Sequence, residues 1–366
     1  VCIVSTQKLV QIKIERGVIL SKELIIWHEL DGIADVSLQM IEKVCNLVST
    51  ELNVKFKLES MNISTFRDKL QSISHTRIFP DIAFVPQDFV AMETAQLSVV
   101  DVSPRGLVSN EAWNSMQYNG VQRGIPFLQG NHAVLYYSKH LLKKVPTDLE
   151  EFCVDSQDVF PLSIDLVEPY WIFPFLNTME AIDLSSKKVS YDNHLLIEVT
   201  DYFKDLMDSD ALVLCNATDE MLEKFVDGRI ASIINGEWVY NYLKRKMGDD
   251  LGVAVLPKIN GKVIKGLKST VGMVFPGDSL QTSKKDAILY FANKLISEEI
   301  QIQWETDFDR IPINLTALNQ SKQTDENYKK LMKQMEFDDF MINSPGLLQF
   351  WESMRADLKE IFLERK

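Results

Sequence analysis

The sequence predicts an α/β fold in two lobes, each a mainly parallel sheet flanked by helices. Three observations predict it: strand-like and helix-like segments alternate as β-α-β-α-β from Glu23 to Val85, a second strand series follows Pro126, and 366 residues suffice for two or three domains at about 100–200 residues each.

Glu23–His28 (ELIIWH) reads as a buried strand. Over Val36–Leu52, apolar side chains at Val36, Met40, Val44, Leu47 and Val48 recur at helical spacing. Asn53–Leu58 (NVKFKL) alternates polar and apolar as a strand does, Ile63–Ile73 is helical, and Asp81–Val85 (DIAFV) is a short strand introduced by Pro80. In the second half, Ala133–Tyr137, Phe160–Leu166, Ile230–Ile234, Leu251–Leu256 and Thr270–Phe275 read as strands. Asp148–Phe152 has an acidic helix start, while Leu195–Met207 and Ala217–Val226 read as amphipathic helices. From Lys284 the chain is mostly helical, with a break around Ile311–Leu315, and no fixed-period repeat or low-complexity run interrupts it. Two parallel sheets joined by crossing segments place a cleft between lobes, where ligands lie beyond strand C-termini.

The composition narrows the function. A net charge of −13 argues against a nucleic-acid-binding protein, which needs a concentrated basic face. No stretch approaches the ~18 consecutive apolar residues of a membrane span. Val1 in place of an initiator Met is compatible with a removed export signal. Cys2 invites a lipoprotein reading, which Val1 before it fits poorly, so no lipid anchor is expected. Cys2, Cys45, Cys153 and Cys215 lack C-x-x-C spacing and read as buried free thiols, with a disulfide open in an oxidising compartment.

Catalytic motifs are missing. His28, His75, His132, His140 and His194 form no H-E-x-x-H, and there is no G-x-S-x-G elbow, Walker A loop or G-x-G-x-x-G turn. Asp338 and Asp339 are adjacent, Asp307 and Asp309 could share a strand face, and both pairs read as solvated surface charge. The expectation is a non-enzymatic protein without catalytic residues, metal or cofactor.

Several blocks carry a resemblance over nearly the whole chain after Glu23. They are Leu24–Trp27 (LIIW) with Asp31, Pro80–Phe84 (PDIAF) with Asp88, and Ile125–Pro126 followed by Tyr137–Leu142 (YSKHLL). More specific are Glu168–Pro174 (EPYWIFP) and Phe225–Trp238 (FVDGRIASIINGEW), which has the form F-x-x-G-x-x-A-x-x-x-N-G-x-W and continues to Gly252–Pro257 (GVAVLP). Pro345–Arg355 (PGLLQFWESMR) adds a supporting element. With these blocks the chain resembles the extracellular solute-binding proteins of bacterial ABC sugar importers, nearest the maltose/maltodextrin-binding type.

The resemblance implies a two-lobed periplasmic-binding-protein fold. Residues 1–128 and 269–321 would form the first lobe, and 129–268 and 322–366 the second. Hinge crossings are expected as strands near Phe127–Asn131, Gly266–Ser269 and Leu318–Ser321. It also implies a ligand site: Tyr170, Trp171, Trp238 and Trp351 stack against sugar, Glu168 accepts from hydroxyls with Arg355 nearby, and Asp31 and Asp88 bind hydroxyls from the first lobe. The chemistry suits carbohydrate, whose apolar C–H faces meet aromatic rings while its hydroxyl edges meet polar side chains.

Each assignment has a structural alternative. Trp238 could close a turn over the core, Trp351 could be helix packing, and Asp31 and Asp88 could be helix caps. Trp27 is expected in the core, and Asp81 at a strand start without contact to ligand. The first lobe departs from the family pattern. Val85 replaces a tryptophan, Asp88-Phe89 an Asp-Arg pair and Gly32 a lysine, and the crossing Gln129-Gly130-Asn131 lacks the expected glutamate. A sugar or oligosaccharide is therefore the preferred ligand. A polyol, phosphodiester, polyamine or metal complex stays open, as does a sensor or interaction module without transport binding. The expected partners are a small polar ligand and importer membrane subunits, with no nucleic acid. The chain is expected to be a monomer, periplasmic or extracellular-facing.

Overall fold

The computed structural model describes residues 23–30, 36–76, 79–103, 106–154, 158–184, 188–321 and 324–364; Cys2 and Asp31 lie outside them. The architecture is a two-lobed α/β fold on two main sheets, with two small two-stranded ribbons beside them.

The first sheet contains β1 (Glu23–His28), β2 (Lys55–Ser60), β3 (Ile82–Pro86), β4 (Gly124–Gly130), β10 (Leu267–Val274), β11 (Ile311–Pro312) and β12 (Asp339–Phe340). Its order is β11-β4-β10-β3-β1-β2, with β12 paired to the start of β10. The second contains β5 (Ala133–Ser138), β6 (Leu162–Ile164), β7 (Leu212–Leu214), β8 (Ser232–Gly236) and β9 (Leu251–Ala254), in the order β7-β6-β8-β5-β9.

In the first sheet β1 lies parallel to β2 and β3, whereas β10 is antiparallel to both β3 and β4. In the second, β6 is parallel to β7 and β8, whereas β5 is antiparallel to β8 and β9. The second sheet thus takes in one reversed strand, β5, and the first takes in β10 with the two-residue strands β11 and β12 running the same way; for β5 and β10 the reason is connectivity. β5 and β10 each enter directly from a strand of the other sheet, without a covering helix to reverse the chain.

The helix Ser37–Leu52 buries Met40, Ile41, Val44 and Val48 along one face, and Asn53 ends it in a left-handed conformation (φ 53°). That face meets the helices Lys285–Leu295 and Glu298–Phe308 in a core with β1, β3 and β4, filled by Phe84, Phe127, Phe291 and Trp304. The second sheet is covered on one face by the helices Pro169–Thr178, Asn193–Asp208 and Pro345–Lys359, and on the other by Thr218–Val226, Tyr240–Met247 and Glu326–Phe337.

The two sheets meet where β4 runs through Asn131 and His132 into β5, beside the start of β10. Ser269 pairs with Gly130 across these strands, and Asn131 Nδ2 donates to Ser269 Oγ at 2.6 Å.

Several expectations are corrected. The third crossing, Leu318–Ser321, is the end of the short helix Leu315–Gln320 and not a strand. Asp148–Phe152 forms only a 3₁₀ turn over Leu149–Glu151. Cys153 is exposed, while Cys45 and Cys215 are buried free thiols, and burial pushes the Cys45 thiol up to about 12. Asp309 is buried as a helix C-cap against Lys244 (2.7 Å), and Asp338 is buried too, so neither is solvated surface charge. As expected, Trp27 is in the core, its indole N–H donating to Glu59. Asp81, also as expected, stands at the start of β3, where it accepts from the Ile25 N–H and pairs with Lys284.

Candidate functional site

A cleft of about 610 Å³ lies between the sheets. One wall gathers residues beyond the C-terminal ends of β1, β2 and β3, the other residues beyond β6, β7 and β8, so both present strand ends as α/β ligand sites do.

On the first wall, Glu29 and Leu30 follow β1, and Asn62, Ile63 and Arg67 follow β2. Asn62 caps the helix Ile63–Gln71, its side chain accepting from the Thr65 N–H at 2.9 Å, which sets Arg67 one turn into that helix. After β3 the chain turns through a 3₁₀ segment, Gln87–Ala91, that carries Asp88 and Phe89. Gln87 anchors this turn by accepting from the Thr270 N–H (3.1 Å). Asp88 is 4% exposed, and burial raises its carboxyl above the usual range while the charge of Arg67 opposes that rise. The Trp351 indole N–H donates to Asp88 Oδ2 at 3.1 Å, and the backbone N–H groups of Asp88 and Phe89 also favour the charged carboxylate. The N-cap position of this 3₁₀ segment is Pro86, so Asp88 sits inside the turn and not at its cap.

On the second wall, Asp165 Oδ1 accepts from the N–H groups of Val167 and Glu168 at 3.1 and 3.2 Å. This local turn, followed by Pro169 at the first helical position, starts the helix Pro169–Thr178. Because they sit in a helix start rather than a strand, Tyr170 and Trp171 can share one side of the cleft, with ring centroids 5.0 Å apart and near-perpendicular planes. Trp238, beyond β8, completes the cluster at 6.3 Å from Tyr170 and 5.8 Å from Trp171. The Tyr170 hydroxyl donates to the Asn131 carbonyl at 2.8 Å, tying the cluster to the inter-sheet crossing.

The helix Pro345–Lys359 supplies Trp351 and, one turn on, Arg355. Arg355 holds Glu168 by a two-pronged pair of 2.9 and 2.8 Å, leaving the carboxylate oriented with further acceptor capacity toward the cleft. At the floor, Arg310 pairs with the buried Glu237 at 3.4 Å, and Glu237 also accepts from the Asn131 N–H at 2.9 Å. A carboxylate is thus present at the crossing, supplied from beyond β8 instead of from the crossing strand itself.

Asp88, Glu168, Tyr170, Trp171, Trp238 and Trp351 therefore line one cleft. Arg355 acts on it through Glu168, and Asp31 lies outside the described residues. Sequence reasoning missed Arg67, Asn131 and Arg310. Arg310, a lone cation between Asp309 and an apolar strand, carried a weak signal, and Arg67 carried none. Among the described residues no His, Cys, Asp and Glu side chains group to hold a metal ion, and no helix is long and apolar enough to cross a membrane.

Comparison with known proteins points the same way. Residues 48–333 match the family described as bacterial extracellular solute-binding protein. The fold is similar to that of the GacH receptor of Streptomyces glaucescens, solved unliganded and with acarbose, at a TM-score of 0.82 and 18% identity over 95% of this chain and 94% of that one. It is also similar to a Thermus thermophilus maltotriose-binding protein solved with maltotriose, at 0.81 and 20% identity over 93% of this chain and 94% of that one. A search of curated proteins finds no significant match.

Proposed function

The chain belongs to the bacterial extracellular solute-binding proteins, and on that premise we propose that it captures a sugar or oligosaccharide between its lobes and hands it to the membrane subunits of an ABC-type importer. The observation that carries this reading is the packed trio Tyr170, Trp171 and Trp238 beside an oriented Glu168 carboxylate. Rings of this kind cover an apolar sugar face, while fixed carboxylate and backbone groups bind its hydroxyl edge. Two structural relatives solved with acarbose and with maltotriose support the ligand class.

The proposed first lobe is residues 1–128 and 269–321, the second 129–268 and 322–366. Capture proceeds by closure about the crossings at Phe127–Asn131 and Gly266–Ser269 and the helix end at Leu318–Ser321. Ligand bound to one lobe gains contacts to the other only when the cleft shuts, so binding and closure are coupled. The protein acts as a monomer outside the cytoplasmic membrane.

A thermal-shift screen across sugars, polyols, polyamines and metal ions tests the reading. A saccharide is expected to raise the unfolding midpoint, and the variants Glu168→Ala and Trp238→Ala are expected to weaken its binding about tenfold or more each. A double variant that keeps the wild-type shift would remove the cleft from consideration.

A further inference from the structure

Two chain segments pass side by side from elements covering the second sheet into the first sheet. One leaves Lys265 and enters β10 through Gly266, and the other leaves the helix Glu326–Phe337 and enters β12 through Asp338. The backbones are stitched together, since the Asp339 N–H donates to the Gly266 carbonyl at 3.1 Å and the Met341 N–H to the Lys268 carbonyl at 3.0 Å. Behind them both segments are tethered on the second-sheet side. The Lys265 N–H donates to Thr178 Oγ1 at 3.0 Å, and Gln334 accepts from the Leu256 N–H at 2.8 Å.

One side chain joins the two crossings. Asp338 is 4% exposed, and its Oδ1 accepts from the Gly266 N–H at 2.9 Å and from Gln334 Nε2 at 2.7 Å. The approach is close enough that a Cβ on Gly266 would stand 2.7 Å from that oxygen. The charged and titratable groups acting around this carboxyl are Lys268 of β10, Asp339 of β12 and Tyr170 of the helix Pro169–Thr178. Lys268 favours ionisation, but its ammonium donates to the Met335 carbonyl at 2.9 Å and lies over the Phe340 ring, while Asp339 opposes ionisation. On the helix side Gln334 is uncharged. Burial prevails and raises the carboxyl to about 7.

Gly266–Ser269 is a crossing about which the lobes are proposed to close, so this carboxyl sits on the moving joint. Parting the lobes turns the first sheet against the helices behind it and lets water reach Asp338, and a hydrated carboxyl ionises nearer 3.8. Resting on the closure reading above, we propose that Asp338 is a proton-operated hinge pin, neutral while the lobes are shut and ionised once they part. Mild acid then favours the shut, ligand-holding form, and mildly alkaline medium favours opening. The sign follows from linkage: the shut form keeps the proton up to about pH 7 and the open form releases it at lower pH. The bias toward closure is therefore greatest in acid, shrinks as pH rises to 7 and is constant above it.

The test is small-angle scattering of the ligand-free protein at pH 5 and pH 8, for wild type and Asp338→Asn. NMR of the Asp338 carboxyl carbon in wild type follows its ionisation directly, and circular dichroism checks that the variant folds. Wild type is expected to be more expanded at pH 8 than at pH 5. Asp338→Asn keeps the acceptor and cannot ionise, so it is expected to hold one radius at both. A wild-type radius that does not change, a change that Asp338→Asn reproduces, or a carboxyl already ionised at pH 5 overturns the proposal. Maltotriose affinity at the two pH values gives a second readout. It is expected to weaken several-fold from pH 5 to pH 8 in wild type and to change by less than about twofold in Asp338→Asn. Equal pH dependence in the two proteins overturns the pin and leaves the saccharide reading intact. A wild type that does not bind maltotriose counts against the saccharide reading alone, and the ligand-free scattering still decides the pin.

Discussion

Asp338 follows the helix Glu326–Phe337, and its Oδ1 accepts from the Gly266 N–H at 2.9 Å and from Gln334 Nε2 at 2.7 Å. Its Oδ2 is buried without a partner, and burial raises its carboxyl from 3.8 to about 7, against the pull of Lys268 and with a smaller push from Asp339. The sign follows from proton linkage. The folded chain holds this proton up to about pH 7 while the unfolded chain releases it near 3.8, so the stability it contributes is full below 3.8 and is lost as pH rises through 7. Asp338→Asn keeps an oxygen to accept from Gly266 and Gln334 and cannot ionise. Urea unfolding at pH 5 and pH 8 is expected to show a smaller loss of stability for the variant than for wild type, the excess in wild type being at most about 1.4 kcal/mol per pH unit within that window. Equal losses in the two proteins would show that Asp338 is ionised in the fold at both pH values. From sequence this aspartate read as surface charge. Its burial depends on the close approach of Gly266, where a Cβ would meet Oδ1 at 2.7 Å, and a contact across 72 residues leaves no local pattern.

Most strands and helices were legible because their apolar periodicity is local, as in ELIIWH and the helix Ser37–Leu52. The aromatic wall was legible for a similar reason, since EPYWIFP and the INGEW strand end place Tyr170, Trp171 and Trp238 just beyond β6 and β8. The first wall was only half legible, because Arg67 sits in an ordinary polar helix and becomes a cleft residue only through sheet order. The crossing strand β4 also hides a requirement. Gly130 has φ 109°, outside the range side chains tolerate, and a Cβ there would stand 2.8 Å from Glu237 Oε1 and 3.2 Å from Ile311 Cδ1. Gly130→Ala is therefore expected to cost about 1–3 kcal/mol, read as a lowered urea midpoint with an unchanged m-value. A neutral result would mean that the crossing can shift without disturbing the Glu237–Arg310 pair.

In the whole molecule, the helix Pro345–Lys359 belongs to both lobes' packing. Leu347, Phe350, Trp351 and Met354 sit in the second-lobe core, while Leu348 packs with Phe66, Val85 and Phe89 of the first. The same helix places the Trp351 indole N–H on Asp88, a hydrogen bond from second lobe to first in the proposed division. A contact that exists only when the lobes are together biases the ligand-free equilibrium toward closure. Apparent affinity scales with the fraction of molecules competent to bind, so removing that contact weakens binding through the closure equilibrium. Trp351→Phe keeps a six-membered aromatic ring and deletes the donor together with the rest of the indole, so urea unfolding checks the packing loss separately. A compact chain of this length has a radius of gyration of about 21 Å, and closure should bring wild type with saturating ligand toward that value. Small-angle scattering is expected to show ligand-free Trp351→Phe more expanded than ligand-free wild type, the two converging once ligand is saturating, with apparent affinity reduced several-fold in the variant. If the ligand-free radii coincide while affinity falls, the indole acts on the ligand itself, and if neither changes, the Asp88 bond has no part in closure.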